Sequence, residues 1–237
     1  MCMNYNDILN NYIDSCPYDE PIFIEDIKKY FRNIVTNVDE FDRVFKTIYV
    51  YINRLVKSNK LVLFFKGIYY KPLIGVFGEK KLNIDKVIMR KYILDDNGHK
   101  GYYSGAYLYN NLGLTTQIPK DIVIVTNECP NNNDYYNKRL GVIIRKPRLE
   151  INDDNYRYLQ LFDILSNKDD INIEVDNSRE IIYDFIEKYN LRIDKIFEYA
   201  NKCRNKKVID ILYKMGWLDG FRCVRGINTK CKCKDWY

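Results

Sequence analysis

Seven lysine and arginine residues lie between Arg43 and Gly78, in a stretch of the chain that contains no carboxylate. The chain as a whole holds 32 acidic residues among 237, so this gap separates the stretch from the rest of the sequence. Cationic side chains pair with phosphate oxygens, and a surface without negative charge can approach a polyanion without repulsion. The stretch therefore predicts contact with a nucleic-acid backbone.

One amphipathic helix, predicted over about Asp39–Ser58, must position most of these cations. With helical periodicity, a stripe about 120° wide is apolar. It consists of Phe41, Val44, Phe45, Ile48, Ile52, Leu55 and Val56. The opposite side is mainly basic and hydrogen-bonding, and it holds Arg43, Lys46, Thr47, Val50, Asn53, Arg54 and Lys57. One face of this helix is expected to pack, which leaves the other free for a partner.

The elements around this helix predict a winged helix-turn-helix domain over residues 1–72. Two shorter amphipathic helices precede it, over Tyr5–Ser15 and Ile24–Asn33, and Asn37 is placed to cap its N-terminus. Two β-rich runs follow it, Leu61–Phe65 and Ile68–Lys71, separated by a Lys-Gly turn. In such a domain the third helix enters the major groove and the hairpin touches the adjacent backbone.

These expectations assign the candidate DNA contacts. The groove contacts are predicted to be Arg43, Lys46, Thr47 and Asn53. The phosphate contacts, which position a domain without reading sequence, are predicted to be Arg54, Lys57, Lys60, Lys66 and Lys71. Two alternatives stay open at this point. The basic face could be an ordinary solvated surface, or the winged helix could serve protein contact only.

The remainder of the chain, residues 73–237, predicts an α+β domain. Residues 73–150 mix short helices with Val/Ile-rich strands, and residues 151–217 are helical. Residues 218–237 form a basic, cysteine-containing tail. Residues 151–199 carry twelve acidic and six basic side chains, so this part favours a different kind of partner from the basic stretch.

None of the other reactive side chains predicts catalysis, a metal or a cofactor. His99 is the only histidine and is expected in a surface loop, without a nucleophile nearby in sequence. Three cysteines in the tail lack the spacing of a zinc site, although Cys203 would be a possible fourth ligand. They are Cys223, Cys231 and Cys233. Four acidic residues are expected in a solvated loop, namely Asp169, Asp170, Glu174 and Asp176.

Composition and hydropathy predict a cytoplasmic protein without a membrane span. No apolar run approaches the roughly 18 residues that a span requires, and the first fifteen residues are too polar for a signal peptide. The seven cysteines are an odd number scattered over the chain, as expected of reduced thiols.

Two motifs resemble the AbiEi family of abortive-infection antitoxins and related winged-helix regulators. The first is Arg54-Leu-Val-Lys-Ser-Asn-Lys-Leu followed by Phe65-Lys-Gly-Ile-Tyr-Tyr-Lys-Pro72. The second is Ser104-Gly-Ala-Tyr-Leu-Tyr-Asn-Asn-Leu-Gly-Leu-Thr-Thr-Gln-Ile-Pro119. The resemblance covers roughly residues 35–147, and the tail after Trp217 departs from the family's pattern.

The resemblance implies a non-enzymatic antitoxin of a bicistronic toxin–antitoxin system for phage defence. Its N-terminal domain would bind promoter repeats and repress its own operon. Its C-terminal part would counteract a nucleotidyltransferase-type toxin, classically without a tight complex. The alternative is an interaction module that sequesters a partner directly, with the acidic 151–199 segment against a basic surface.

Overall fold

The protein is a mixed α and β structure, which confirms the predicted α+β class. Contacts divide the chain into two units, Met1–Ile88 (unit 1) and Met89–Tyr237 (unit 2). The computed structural model describes residues 4–18, 20–75, 78–80, 82–166 and 178–214. In those ranges, no helix has the combination of length and apolarity that crossing a membrane requires.

Three helices begin unit 1: α1 (Tyr5–Ser15), α2 (Ile24–Arg32) and α3 (Val38–Lys57). Each begins within one residue of its predicted start because the amphipathic pattern is strong. Asn37 caps α3 as predicted, since its side-chain oxygen accepts a hydrogen bond from the Glu40 N–H at 3.0 Å. This cap satisfies one of the N–H groups that the first helical turn leaves unpaired.

The apolar stripe of α3 forms the centre of the unit 1 core. Its buried members are Phe41, Val44, Phe45, Ile48, Ile52 and Leu55. Leu9 of α1 and both Ile27 and Phe31 of α2 are completely buried with them. Burial of this stripe fixes the rotation of α3 about its axis, so the opposite side of the helix faces solvent.

A small antiparallel sheet completes this helical core. Its strands are β1 (Ile22–Phe23), β2 (Val62–Phe65) and β3 (Ile68–Tyr70), in the order β1-β3-β2. The turn between β2 and β3 uses Gly67 at φ +78°, a conformation that favours glycine. The Gly67 carbonyl accepts the Ile24 N–H at 2.8 Å, which fastens the hairpin turn to the start of α2.

The remaining described part of unit 1 is a second hairpin and a short helix. Strand β4 (Leu73–Gly75) pairs with β5 (Gly78–Lys80), and α4 covers Ile84–Ile88. Unit 2 then starts with a π-helical segment, Met89–Ile93.

Unit 2 is organised around a four-stranded sheet in the order β10-β11-β9-β8. Strands β9 and β11 are parallel to each other, and the other two pairings are antiparallel. A separate two-stranded hairpin, β6–β7, precedes β8 along the chain. The strands are β6 (Leu94–Asp95), β7 (Gly98–His99), β8 (Gly101–Ser104), β9 (Ile122–Thr126), β10 (Tyr135–Asn137) and β11 (Val142–Arg145).

Helix α6 carries much of the unit 2 core. Leu161, Phe162 and Ile164 lie on different sides of this helix and all are buried, so it is surrounded by other elements. The helices of unit 2 are α5 (Gly105–Asn111), α6 (Tyr156–Ser166), α7 (Ser178–Lys188), α8 (Ile193–Lys202) and α9 (Lys206–Lys214).

The motif that begins at Ser104 has a structural role in unit 2. Gly113 ends α5 at φ +73°, and the next N–H, that of Leu114, returns to the Tyr109 carbonyl at 2.8 Å. Leu114 is then fully buried, and the Asn110 amide braces the following loop through the Thr115 carbonyl. The Leu-Gly-Leu-Thr sequence is therefore a helix stop that anchors a loop in the core.

Candidate nucleic-acid interface

The solvent face of α3 brings together six of the predicted contact residues. All six are exposed on the side opposite the buried stripe: Arg43, Lys46, Thr47, Asn53, Arg54 and Lys57. From Arg43 to Lys57 they cover fourteen helical steps, or about 21 Å along the helix axis. The face is therefore long enough to meet both the base edges and the flanking phosphates of a duplex.

Two of these side chains donate hydrogen bonds to backbone carbonyls of α3 itself. The Arg43 Nε–H donates to the Asp39 carbonyl at 3.2 Å, and the Thr47 hydroxyl donates to the Arg43 carbonyl at 3.3 Å. The Arg43 bond uses only Nε, so its terminal guanidinium nitrogens remain available as donors. The Thr47 hydroxyl has used its only proton within the helix, and it can offer a partner its oxygen and its methyl group.

Lys60 and Lys66 lie beyond the helix, and both are exposed. Helix α3 ends where Asn59 adopts a left-handed φ of +56°, and the Lys60 N–H then returns to the Leu55 carbonyl at 2.9 Å. This closure directs the chain away from the helix axis at Lys60. Lys66 stands at the β2–β3 turn, directly before Gly67.

Lys71 differs from the other predicted contacts because it is buried, with 7% of its surface exposed. Its ammonium donates to the Asp14 carbonyl at 3.1 Å and lies 4.4 Å from the centre of the Tyr18 ring. Asp14 is in the last turn of α1, where the partial negative charge of the helix end attracts a cation. The structure thus separates Lys71 from the surface lysines and gives it a contact inside unit 1.

Two basic residues of α2, which the sequence analysis did not select, lie against α3. The Arg32 guanidinium is 4.7 Å from the centre of the Phe41 ring, and the Lys28 ammonium is 5.5 Å from that of Phe45. Both distances are within the range of cation–π attraction. The search for a stretch without acids missed them because α2 also carries Glu25. Their spacing of four residues, which places them on one side of α2, was the available signal.

The charge of α3 changes sign along its length. Its first turn contains Asp39 and Glu40, and Asp42 follows in the next turn. Glu40 accepts a hydrogen bond from the Tyr5 hydroxyl at 3.2 Å, and acidic side chains at a helix N-terminus stabilise the helix. From Arg43 onward the helix has no acidic residue. Only this later part suits contact with phosphates.

A polar cluster in unit 2 joins β8 to α6. Ser104 stands at the N-cap position of α5, but its hydroxyl does not cap that helix. It donates instead to the Asp163 carboxylate at 2.6 Å. Burial raises the pKa of the Asp163 carboxyl, which the Ser104 bond and the Arg145 charge oppose. Burial and the neighbouring Asp163 raise the pKa of Tyr102. These groups satisfy one another in the interior of unit 2.

His99 lies at the end of β7 and not in an open loop as expected. Its Nδ1 is 2.5 Å from Asp153 Oδ1, and its ring stacks on Tyr156 at 3.8 Å. Hydrogen bonds from the His99 ring and from the His99 backbone N–H lower the pKa of Asp153. The histidine thus fastens the β6–β7 hairpin to the segment that leads into α6.

The other predicted reactive groups lie mainly outside the described residues. The three tail cysteines and the four acidic residues between 169 and 176 fall there, whereas Cys203 is buried in the core of unit 2. Within the part of the chain that the structure describes, no three His, Cys, Asp or Glu side chains gather as a metal site would require.

No protein-family model matches this chain, and no curated protein matches it in sequence. The resemblance to the AbiEi family therefore stays a prediction that depends on the two motifs.

Proposed function

We propose that unit 1 is a winged helix-turn-helix domain that binds double-stranded DNA through α3. The observation that carries the proposal is the division of α3 into two faces. One face is core, and the opposite face presents cations and hydrogen-bonding side chains without an acidic residue from Arg43 onward. A rigid helix with this surface matches what the major groove requires of a protein.

The order of elements in unit 1 supports this proposal. Three helices precede the β2–β3 hairpin, and β1, between α1 and α2, pairs with β3. Residues 33–37 connect α2 to α3, a connection close in length to the turn of helix-turn-helix motifs. In domains of this kind the third helix enters the major groove. Here that helix is α3.

The length of α3 divides its contacts between bases and phosphates. A straight helix of 20 residues is about 30 Å long, so it leaves the curved groove at its ends. Lys46 and Thr47 are near its middle and would face base edges, with Arg43 about one turn before them and Asn53 nearly two turns after. Lys57 is near its end, where the side chain would reach phosphate oxygens, and the exposed Lys60 and Lys66 would do the same.

The larger role that we propose is that of an autorepressing antitoxin in the cytoplasm. Unit 1 would bind repeats in its own promoter, and unit 2 would counteract a nucleotidyltransferase-type toxin. This part of the proposal rests on the two AbiEi-like motifs, which span unit 1 and unit 2.

A titration of the protein against the DNA upstream of its own gene tests the proposal. We expect binding that an unrelated competitor duplex does not remove and that weakens as salt rises. The variant Arg43→Glu/Lys46→Glu should lose this binding while keeping the circular dichroism of the wild type. The variant Lys138→Glu/Lys206→Glu, which changes exposed residues of unit 2 by the same total charge, serves as the control. Equal affinity for promoter and competitor DNA would refute the proposal.

A second candidate function, direct sequestration of a protein partner, is favoured by the surface of α7. Glu180, Asp184 and Glu187 are exposed and spaced four and three residues apart, so they share one side of the helix. Such a surface suits a basic partner. The product of the neighbouring gene should then co-purify with the wild type and be lost when all three residues become lysine. The control reverses three exposed acids elsewhere in unit 2, namely Glu150, Asp154 and Asp210.

A further inference from the structure

Val50 is an exposed apolar residue in the middle of the polar face of α3. It exposes 52% of its surface, although it lies well inside a 20-residue helix. Residues three and four positions away are its neighbours on the helix surface. Here these neighbours all carry hydrogen-bonding or charged side chains, and all are exposed: Lys46, Thr47, Asn53 and Arg54.

Neither folding nor solubility explains a valine at this position. A β-branched residue is a poorer helix former than alanine, lysine or glutamate, and burial compensates for only part of this because Val50 leaves 52% of its surface exposed. Exposed apolar surface also carries a cost of solvation, which contact with another apolar group would remove. The position of Val50 therefore indicates an apolar group in whatever binds this face.

The cations around Val50 indicate which partner supplies that group. A polyanion complements Lys46 and Arg54 on either side of the valine, and the absence of acidic residues from Arg43 through Gly78 allows its close approach. In the major groove of DNA, base edges present donors and acceptors, and the apolar group among them is the C5 methyl of thymine. The two methyl groups of valine can make van der Waals contact with the thymine methyl.

We propose that Val50 contacts the C5 methyl group of a thymine, so that α3 reads a T·A base pair at the centre of its site. This inference rests on the proposed DNA binding and adds the chemical group that the face distinguishes. Asn53, one turn from Val50, is of the residue type that pairs with the N6 and N7 atoms of adenine. The two side chains are thus placed to recognise neighbouring bases.

Replacement of thymine by deoxyuridine tests the proposal, because it removes only the methyl group. A preferred duplex is first selected by the full-length protein from a random library, and each thymine is then replaced singly. At one position, loss of the methyl should weaken wild-type binding about fourfold, which corresponds to about 0.8 kcal/mol for one buried methyl-sized group. The variant Val50→Ala should bind the thymine and deoxyuridine duplexes with equal affinity.

Two further variants separate the methyl contact from general effects on the helix. Val50→Thr keeps one methyl group in place and should retain part of the preference for thymine. Val38→Ala changes the same residue type in the same helix, at a position that is 69% exposed but lies outside the basic face. It should keep the full preference.

The outcomes distinguish this inference from the proposed function. If no preferred duplex can be selected, both the DNA-binding proposal and the thymine contact are overturned. If a duplex is selected but every deoxyuridine substitution is neutral, or Val50→Ala keeps the wild-type preference, only the thymine contact is overturned.

Discussion

Replacement of Lys71 and of Lys57 by methionine should have opposite consequences, although sequence analysis placed both lysines in one class. Lys57 is exposed at the end of α3, whereas the Lys71 ammonium donates to the Asp14 carbonyl and lies over Tyr18. Methionine keeps most of the length of the side chain and removes the charge. We therefore expect Lys57→Met to change DNA binding and Lys71→Met to change stability.

For Lys57→Met, the expected change is in the salt dependence of binding. Each phosphate contact contributes about 0.9 to the slope of log K against log salt concentration. Loss of one contact should lower this slope by about 0.9. The factor by which the affinity falls between roughly 50 and 200 mM salt should then be about 3.5 times smaller than for the wild type. Fluorescence anisotropy titrations at several salt concentrations measure this slope. Lys57 stands in the last turn of α3, so the unfolding free energy of this variant should fall by no more than about 0.5 kcal/mol.

For Lys71→Met, the expected change is a loss of folding free energy. A hydrogen bond from a charged donor contributes about 1.5 to 3 kcal/mol, and a cation–π contact about 0.5 to 1 kcal/mol. Water can reach the exposed Asp14 after the substitution and recover part of this, so we expect a net loss of about 1 to 2 kcal/mol. Urea unfolding, followed by circular dichroism, measures it.

A comparison of the two variants can refute the assignment of Lys71 to a contact inside unit 1. If Lys71→Met lowers the salt slope as much as Lys57→Met does and leaves the unfolding curve unchanged, then Lys71 is a phosphate contact and the reasoning from its burial is wrong.

Three further predictions concern the described core and helix ends. Asn37→Ala removes the cap of α3 and should cost about 1 kcal/mol in urea unfolding. Gly101→Ala would bring a Cβ into the backbone oxygens of Tyr92 and Val125, so we expect a loss of about 3 kcal/mol or more, or failure to fold. Burial raises the pKa of Asp163, so the folded state holds its proton more tightly and wild-type stability falls as pH rises above about 4. Asp163→Asn removes this dependence, and its stability relative to the wild type should be greater at about pH 7 than at about pH 4.

The three helices of unit 1 were predictable because each has one apolar side that must be buried. Ile48 and Ile52 of α3 are completely buried, and both belong to the predicted stripe. The two-residue strand β1 was not predictable, because Ile22 and Phe23 directly precede α2 and are too few to show alternation. Its existence depends on pairing with β3, which lies more than forty residues later.

The candidate interface was predictable to the extent that it depends on helical spacing. Periodicity placed Lys46 and Arg54 on the solvent side of α3, where the structure also has them. Periodicity cannot indicate which lysine has a partner from a distant segment. Lys71 meets the end of α1 only when the chain is folded. Arg32 likewise contacts the Phe41 ring of α3 only in the folded chain. Ser104, whose hydroxyl bonds Asp163 of α6, is a third case.

Because α3 has one buried face and one exposed face, the residues of its exposed face can be substituted with little effect on the core. Its orientation depends on buried residues such as Ile48 and Ile52, and the exposed residues on the opposite side, including Val50 and Asn53, contribute little to the core. Substitutions on the solvent face should therefore alter affinity and base preference with changes in unfolding free energy within about 0.5 kcal/mol. Substitutions in the stripe should lower the unfolding free energy and weaken binding as well, because a rotation or shift of α3 would displace every contact at once. The chemistry of the face can thus vary while the fold that presents it stays the same.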